Sequence, residues 1–333
     1  MAKQSLDVPT RPRILGGRLP RPSLASLLAR RKQDQTAGRV FFIITLLPVG
    51  LVVVVTLALA LRFWPILRAH SLWELVSGAV WKPQQGLFGF WPFISGTLWV
   101  TIAGAGLAVP PCLLTSLYLS EYARASTRAI MKPLLDLLAA IPSVVYGVWG
   151  VIAIVPLVER VAPLFKRYLG FIPLFNSQNP TGYSILAGGI VLAVMIAPFL
   201  IAVTYEVLST VPQGMREASL GVGATQWQTI RSVVLKQTLP GIAAAVVLGA
   251  TRALGETMAV LMVVGNVPQV PKSIFDTAYP LPALIANNYG EMMSIPLYDA
   301  ALLGAAFILL AIILVFNIAS TLVLQRRLGR RWV

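Results

Sequence analysis

Two charged residues, Arg252 and Glu256, stand four positions apart inside residues 241–266, a run with no other charge. Four-residue spacing puts two side chains on one face of a helix. Arg252 lies twelve positions into the run, about 18 Å along a helix axis. An unpaired charge at such depth in a bilayer costs at least ~2.5–3.5 kcal/mol, so it needs a partner or a task. In one reading the two residues form a structural ion pair that neutralises itself. In the other, the planar guanidinium offers two parallel hydrogen bonds to an oxyanion. Glu256 then holds and neutralises Arg252 while the site is empty, and repels dianions that carry no proton to donate.

Ser143 is the second candidate. It follows Pro142, and proline removes a backbone donor and breaks or kinks a helix. A broken helix presents free amides and the Ser143 hydroxyl to an anion; a packing kink is the plainer alternative. The third candidate is the stretch 211–242, less apolar than its flanks. Arg216 to Leu220 begins a short helix that Gly221 and Gly223 end. Trp227, Ile230, Val233 and Val234 give a second helix an apolar face. Such a hairpin suits a groove on another protein, or simply joins two spans. No Gly-Lys dipeptide occurs, so the phosphate cradle of P-loop ATPases is absent. The single Cys112 and single His70 form no metal set.

These residues are positioned by membrane helices. Of 333 residues 57% are hydrophobic and 12% charged, which excludes a water-soluble enzyme. Six apolar runs reach the ~20 residues that a spanning helix needs: 40–61, 94–119, 134–158, 184–207, 241–266 and 300–324. The fold class is therefore an all-α integral membrane protein with six transmembrane helices. Placing both termini in the cytoplasm puts nineteen Lys and Arg against four acids on that side, and seven against five outside. Basic residues collect on the cytoplasmic face, so the net charge of +15 reports topology and not nucleic-acid binding. Residues 1–38 read as a basic, mostly disordered cytoplasmic tail. Residues 39–325 are the transmembrane domain with a cytoplasmic loop at 211–240, and 326–333 are a second basic tail.

Glu217-Ala218-Ser219, with Gly223 four positions on, resembles the EAA loop of ABC-transporter permeases. Ser219 stands where that pattern has its third-position alanine, and Lys236 where a proline is usual. Further stretches share the resemblance and its order: 88–98 (FGFWPFISGTL), 118–123 (YLSEYA), 141–147 (IPSVVYG) and 252–260 (RALGETMAV). Over residues 38–325 the chain is similar to the C-type permease subunits of the bacterial high-affinity phosphate transporter.

The resemblance implies an ABC importer permease fold in the bacterial cytoplasmic membrane, carrying inorganic phosphate past Arg252, Glu256 and Ser143. It implies that Glu217, Ala218, Ser219 and Gly223 couple the chain to an ATP-hydrolysing subunit dimer. The other implied partners are a second homologous permease subunit and a periplasmic phosphate-binding protein. No cofactor is expected on this chain; ATP and Mg are used by the partner ATPase. The rivals are an ABC permease for molybdate or sulfate, and an ion-coupled secondary anion transporter. The second should show an internal repeat and acidic coupling residues, whereas Glu256 is the one deep acid.

Overall fold

The computed structural model describes residues 24–177, 179, 181–291 and 295–328. The chain divides into two units, Met1–Val55 and Thr56–Val333. The described part of the first is helix, the beginning of α1 (Leu24–Ala69). Residues 24–38, expected as part of a disordered tail, are helical, while 1–23 lie outside the described residues. Leu, Ala, Arg, Lys and Gln dominate that segment and favour helix, and extending an existing helix needs no new nucleus.

In the second unit, α1 buries Phe63 and Ile66. Helix α2 (Leu72–Ser77) follows, its N-cap Ser71 accepting from the Glu74 amide. A two-stranded antiparallel hairpin, β1 (Trp81–Lys82) and β2 (Leu87–Phe88), pairs Trp81 with Phe88. Trp81 lies 5.0–6.3 Å from the rings of Phe88, Phe90, Phe93 and Tyr298. This cluster fixes the start of α3 (Trp91–Glu121) against the start of the last helix.

Helices α4 (Ala125–Ala140), α5 (Ser143–Trp149) and α6 (Val155–Leu169) come next. A π-turn at 150–154 joins the last two, its ring closed by the Val155 amide on the Gly150 carbonyl. Helix α7 (Ile185–Ser209) begins at an N-cap, Ser184, that accepts from the Ala187 amide. Then follow α8 (Gln213–Gly221), α9 (Gln226–Thr229), a second π-turn at 230–234, and α10 (Leu235–Leu254). Short helices α11 (Met258–Leu261) and α12 (Leu281–Asn288) precede α13 (Tyr298–Leu328).

Among the described residues six helical stretches are long and apolar enough to span a membrane: Gln35–Ala69, Trp91–Glu121, Ser143–Leu169, Ile185–Ser209, Gln226–Leu254 and Tyr298–Arg326. The third and fifth depart from the expected limits. Ile141-Pro142 ends α4, so residues 134–140 belong to a separate helix and the third span starts at Ser143. The fifth stops at Leu254, because the chain turns at Gly255.

The centre of the unit is the crossing of α3 and α7. A Cβ on Gly104 would meet the Leu192 side chain at 2.7 Å, and one on Gly189 would meet Ala103 Cβ at 2.8 Å. Small residues allow such close approach, which membrane helices use in place of a hydrophobic driving force. Three hydroxyls entering this core are satisfied locally: Thr97, Thr101 and Ser116 each donate to a carbonyl four residues back. Ser116 also reaches the Ile201 carbonyl on α7 at 3.2 Å. Gly189→Val should therefore overpack the crossing by about 1–3 kcal/mol. Its effect is measured as a lowered midpoint for loss of the size-exclusion peak on heating. Gly106→Ala is the control: nothing lies within 4 Å of its added Cβ, and alanine is favoured over glycine inside a helix, so it should not lower the midpoint.

Candidate functional site

Helix α10 runs antiparallel to α7: a Cβ at Gly241 would meet Val207, and one at Gly249 would meet Leu200. One turn further the Arg252 guanidinium lies over the Phe199 ring, 5.3 Å from its centroid. Phe199 sits near the middle of α7, so the charge stands at half the depth of a neighbouring spanning helix. That agrees with the depth read from the sequence, although the helix around it is different.

Two residues beyond Arg252 the helix ends, with the Gly255 and Glu256 amides both donating to the Ala253 carbonyl. Arg252 and Glu256 therefore do not share a helix face, and among the described residues no ion pair joins them. The spacing rule failed because it assumed an unbroken helix. Glu256 instead accepts the Ala259 amide at 3.3 Å, at the start of α11, where a carboxylate is favoured by free amides. Arg252 is exposed on the isolated chain and Glu256 is half-buried. The last turn of α10 is held to α13 by Thr251, whose hydroxyl donates to Asn317 Oδ1 at 3.2 Å.

Ser143 is the first residue of α5, directly after the break at Pro142. Helices α5 and α11 lie side by side and run the same way. A Cβ at Gly147 would meet Ala259 and Met262, and one at Gly150 would meet Val263. Ser143 and Glu256 each lie about one turn before the Gly147–Ala259 approach, at the same end of this pair. Gly150 is also against Val191 of α7, and Ser143 lies seven residues, about 10 Å, nearer the level of Phe199. Two interrupted helices thus break at a common depth, one just before Ser143 and one just after Arg252. Backbone interrupted at membrane depth is tolerated where protein or a water-filled path receives its polar groups.

At the far end of α7 and α10 lies the hairpin that the sequence singled out. Glu217 and Ala218 are exposed on α8. Ser219, the departure from the usual alanine, shares a hydrogen bond with the Thr229 hydroxyl at 2.9 Å, tying α8 to α9. Gly223 has φ +88° with open space around it, a conformation that L side chains rarely adopt. Thr225 and Gln228 form a capping box at the start of α9. Ile230 and Val234 are buried as expected, but Trp227 is exposed, as are Met215, Leu220 and Val222.

Sequence reasoning missed the groups that hold these residues. Phe199 under Arg252 and Asn317 beside Thr251 lie on other helices, 53 and 66 positions away in the chain. Glu121, quoted only within a motif, receives Arg216 from α8 at 2.9 Å. Nothing in local spacing signals any of these pairings.

Among the described residues, six membrane-length helices, two of them interrupted at half depth, with a semi-polar hairpin at one end, make a multi-pass membrane protein. The chain belongs to the family described as the binding-protein-dependent transport system inner membrane component, which matches residues 113–331. It is a multi-pass inner-membrane protein and a permease subunit of the ABC transporter class. It is 36% identical over 275 residues to a probable ABC transporter permease protein, YqgH, of Bacillus subtilis, covering 80% of this chain and 84% of that one. It is 36% identical over 250 residues to the phosphate transport system permease protein PstC of Pasteurella multocida, covering 74% and 78%. Among solved structures, the inward-facing MetNI methionine ABC transporter matches 72% of this chain and 94% of its own at 21% identity, with a TM-score of 0.48.

Proposed function

We propose that this chain is the permease subunit of an ATP-driven importer that passes inorganic phosphate across the inner membrane. The observation that carries the reading is Arg252, an exposed guanidinium at half depth beside two helix breaks. Contact with Phe199 returns about 0.5–2 kcal/mol, less than the ~2.5–3.5 kcal/mol that a mid-membrane arginine costs on insertion scales. The remainder is met by a hydrated path and a passing anion. Relatives that bear the name of phosphate transport permeases supply the substrate.

Both termini and the 211–240 hairpin lie in the cytoplasm, as the distribution of basic residues requires. The exposed face around Glu217, Ala218 and Gly223 docks on an ATP-hydrolysing dimer, which uses ATP and Mg. A second homologous permease subunit completes the path, and a periplasmic phosphate-binding protein delivers the anion. Arg252 and the Ser143 hydroxyl attract phosphate transiently, since a deep well would slow release. The Glu256 carboxylate accepts a hydrogen bond from a phosphate O–H, a donor that sulfate lacks at neutral pH.

The test is reconstitution of the chain with its copurifying subunits. Phosphate should stimulate ATP hydrolysis, with sulfate and molybdate inactive; stimulation by either of those instead would remove phosphate as the substrate. In the same assay Glu256→Gln should narrow the preference for phosphate over sulfate by about tenfold, the worth of roughly 1.4 kcal/mol. An unchanged preference would assign Glu256 to capping α11 alone.

A further inference from the structure

We propose that Arg216 and Glu121 form a bracket that makes the hairpin move as one body with the ends of α3 and α7. The proposal rests on the reading of that hairpin as the ATPase-docking element, and names the residues through which its motion enters the spans.

The bracket is built from groups largely removed from water. The Glu121 side chain is 7% exposed and Arg216 23%, with Nη2 and Oε1 2.9 Å apart. The same Nη2 donates to the Leu208 carbonyl at 3.0 Å, in the last turn of α7. The Glu121 carboxylate also accepts from the Ser120 hydroxyl at 2.8 Å. Its backbone carbonyl accepts the Gln226 side-chain amide of α9 at 2.9 Å. One acid and one base thus join α3, α7, α8 and α9. The contrast is Lys132 with Glu206, 3.5 Å apart with both side chains about two-thirds exposed, an arrangement that contributes little.

Helix α8 needs such a hold. It has nine residues and buries none of them, and a helix so short is marginal without tertiary support. Its bridge to α9, Ser219 on Thr229, ties it to the start of the fifth spanning stretch but not to α3 or α7. The Arg216–Glu121 pair supplies that attachment, and the adjacent Glu217 is left exposed for a partner. From Leu208 to Phe199 is nine residues of one helix, about 13 Å. A displacement delivered at the bracket therefore reaches the ring on which Arg252 rests. Arg216 and Glu121 are positioning residues: they touch no substrate and act through α7.

The experiment uses the assembled complex carrying Glu121→Gln, Arg216→Gln, both, or Arg216→Lys. A nitroxide at Val222→Cys, the most exposed apolar position of the hairpin, is read in a Cys112→Ala background. Each Gln variant should raise nitroxide mobility and lower the ratio of phosphate-stimulated to basal ATP hydrolysis by about tenfold (~1.4 kcal/mol). The double variant should be no worse than the singles, because they break one interaction, and Arg216→Lys should recover part of the ratio. Unchanged mobility, changed mobility with an unchanged ratio, additive losses, or loss of the complex in both single variants would each overturn the proposal. If sulfate or molybdate stimulates the unaltered complex in place of phosphate, the substrate reading falls and the ratio is taken with that anion. If no anion stimulates it, the docking reading fails and the bracket proposal with it.

Discussion

Arg252→Ala is expected to lower phosphate uptake at least ~100-fold, about 2.7 kcal/mol, with the complex assembled at normal abundance. The residue is exposed and, among the described residues, its one aromatic contact is Phe199. Truncation therefore leaves no cavity, and no partner charge is stranded, since Glu256 is engaged by the Ala259 amide. Loss of a charge that binds an anion through hydrogen bonds typically costs 2–5 kcal/mol, so the expected effect sits within the range for one such group. Arg252→Lys keeps the charge but loses the fork and the flat face that stacks on Phe199, and should retain about a tenth of the uptake. Uptake into proteoliposomes, normalised to complex recovered by size exclusion, measures both. Alanine at wild-type flux would remove Arg252 from the pathway. Lysine at wild-type flux would leave a role for charge but none for bidentate geometry.

How far this arrangement was legible in the sequence depended on the range of each interaction. The six spans were, because lipid demands long apolar runs and the runs sit plainly in the chain. The hairpin was, because Gly221, Gly223 and the polar stretch before them punctuate it locally. The break at Pro142 was one of two readings that proline allows, whereas the break at Gly255 was not foreseen. Both lie within longer apolar runs, so hydropathy passes straight through them, and the packing of α11 beside α5 is not visible in local spacing. That error carried into Arg252 and Glu256, whose expected shared helix face is removed by the turn at Gly255. Ser219 had an opposite outcome. It departs from the alanine of the motif, and its hydroxyl is engaged by Thr229. Arg216 and Glu121 were beyond reach, being separated by 95 positions and joined by the meeting of three helix ends.

Gly223→Val is expected to abolish oxyanion-stimulated ATP hydrolysis while the chain still folds and inserts. The two halves of that expectation have separate physical grounds. Nothing lies within 4 Å of a Cβ at this position, so the substitution meets no clash inside the chain. Its backbone, however, has φ +88°, where a β-branched residue costs on the order of 1–3 kcal/mol. The Gly223 amide donates to the Leu220 carbonyl at 2.9 Å and the Ala224 amide to Ser219 at 3.3 Å, so a shift in φ there unwinds the C-terminus of α8. The strain is taken up by re-aiming Glu217, Ala218 and Val222 relative to Thr225, which begins α9. A spanning domain held by the α3–α7 crossing does not feel it, whereas a docking surface presented by those residues does. Gly214→Ala separates the two grounds. That glycine also has open space around it but lies inside α8 with an ordinary backbone, so alanine should leave coupling intact and add about 0.5–1 kcal/mol of helix stability. Copurification of the ATPase subunit and stimulated hydrolysis, measured for both variants, decide the matter. Normal values for Gly223→Val would remove the Glu217–Gly223 segment from the docking surface, and a loss in Gly214→Ala as severe as that in Gly223→Val would mean that the whole of α8, and not its left-handed exit, is what the partner reads.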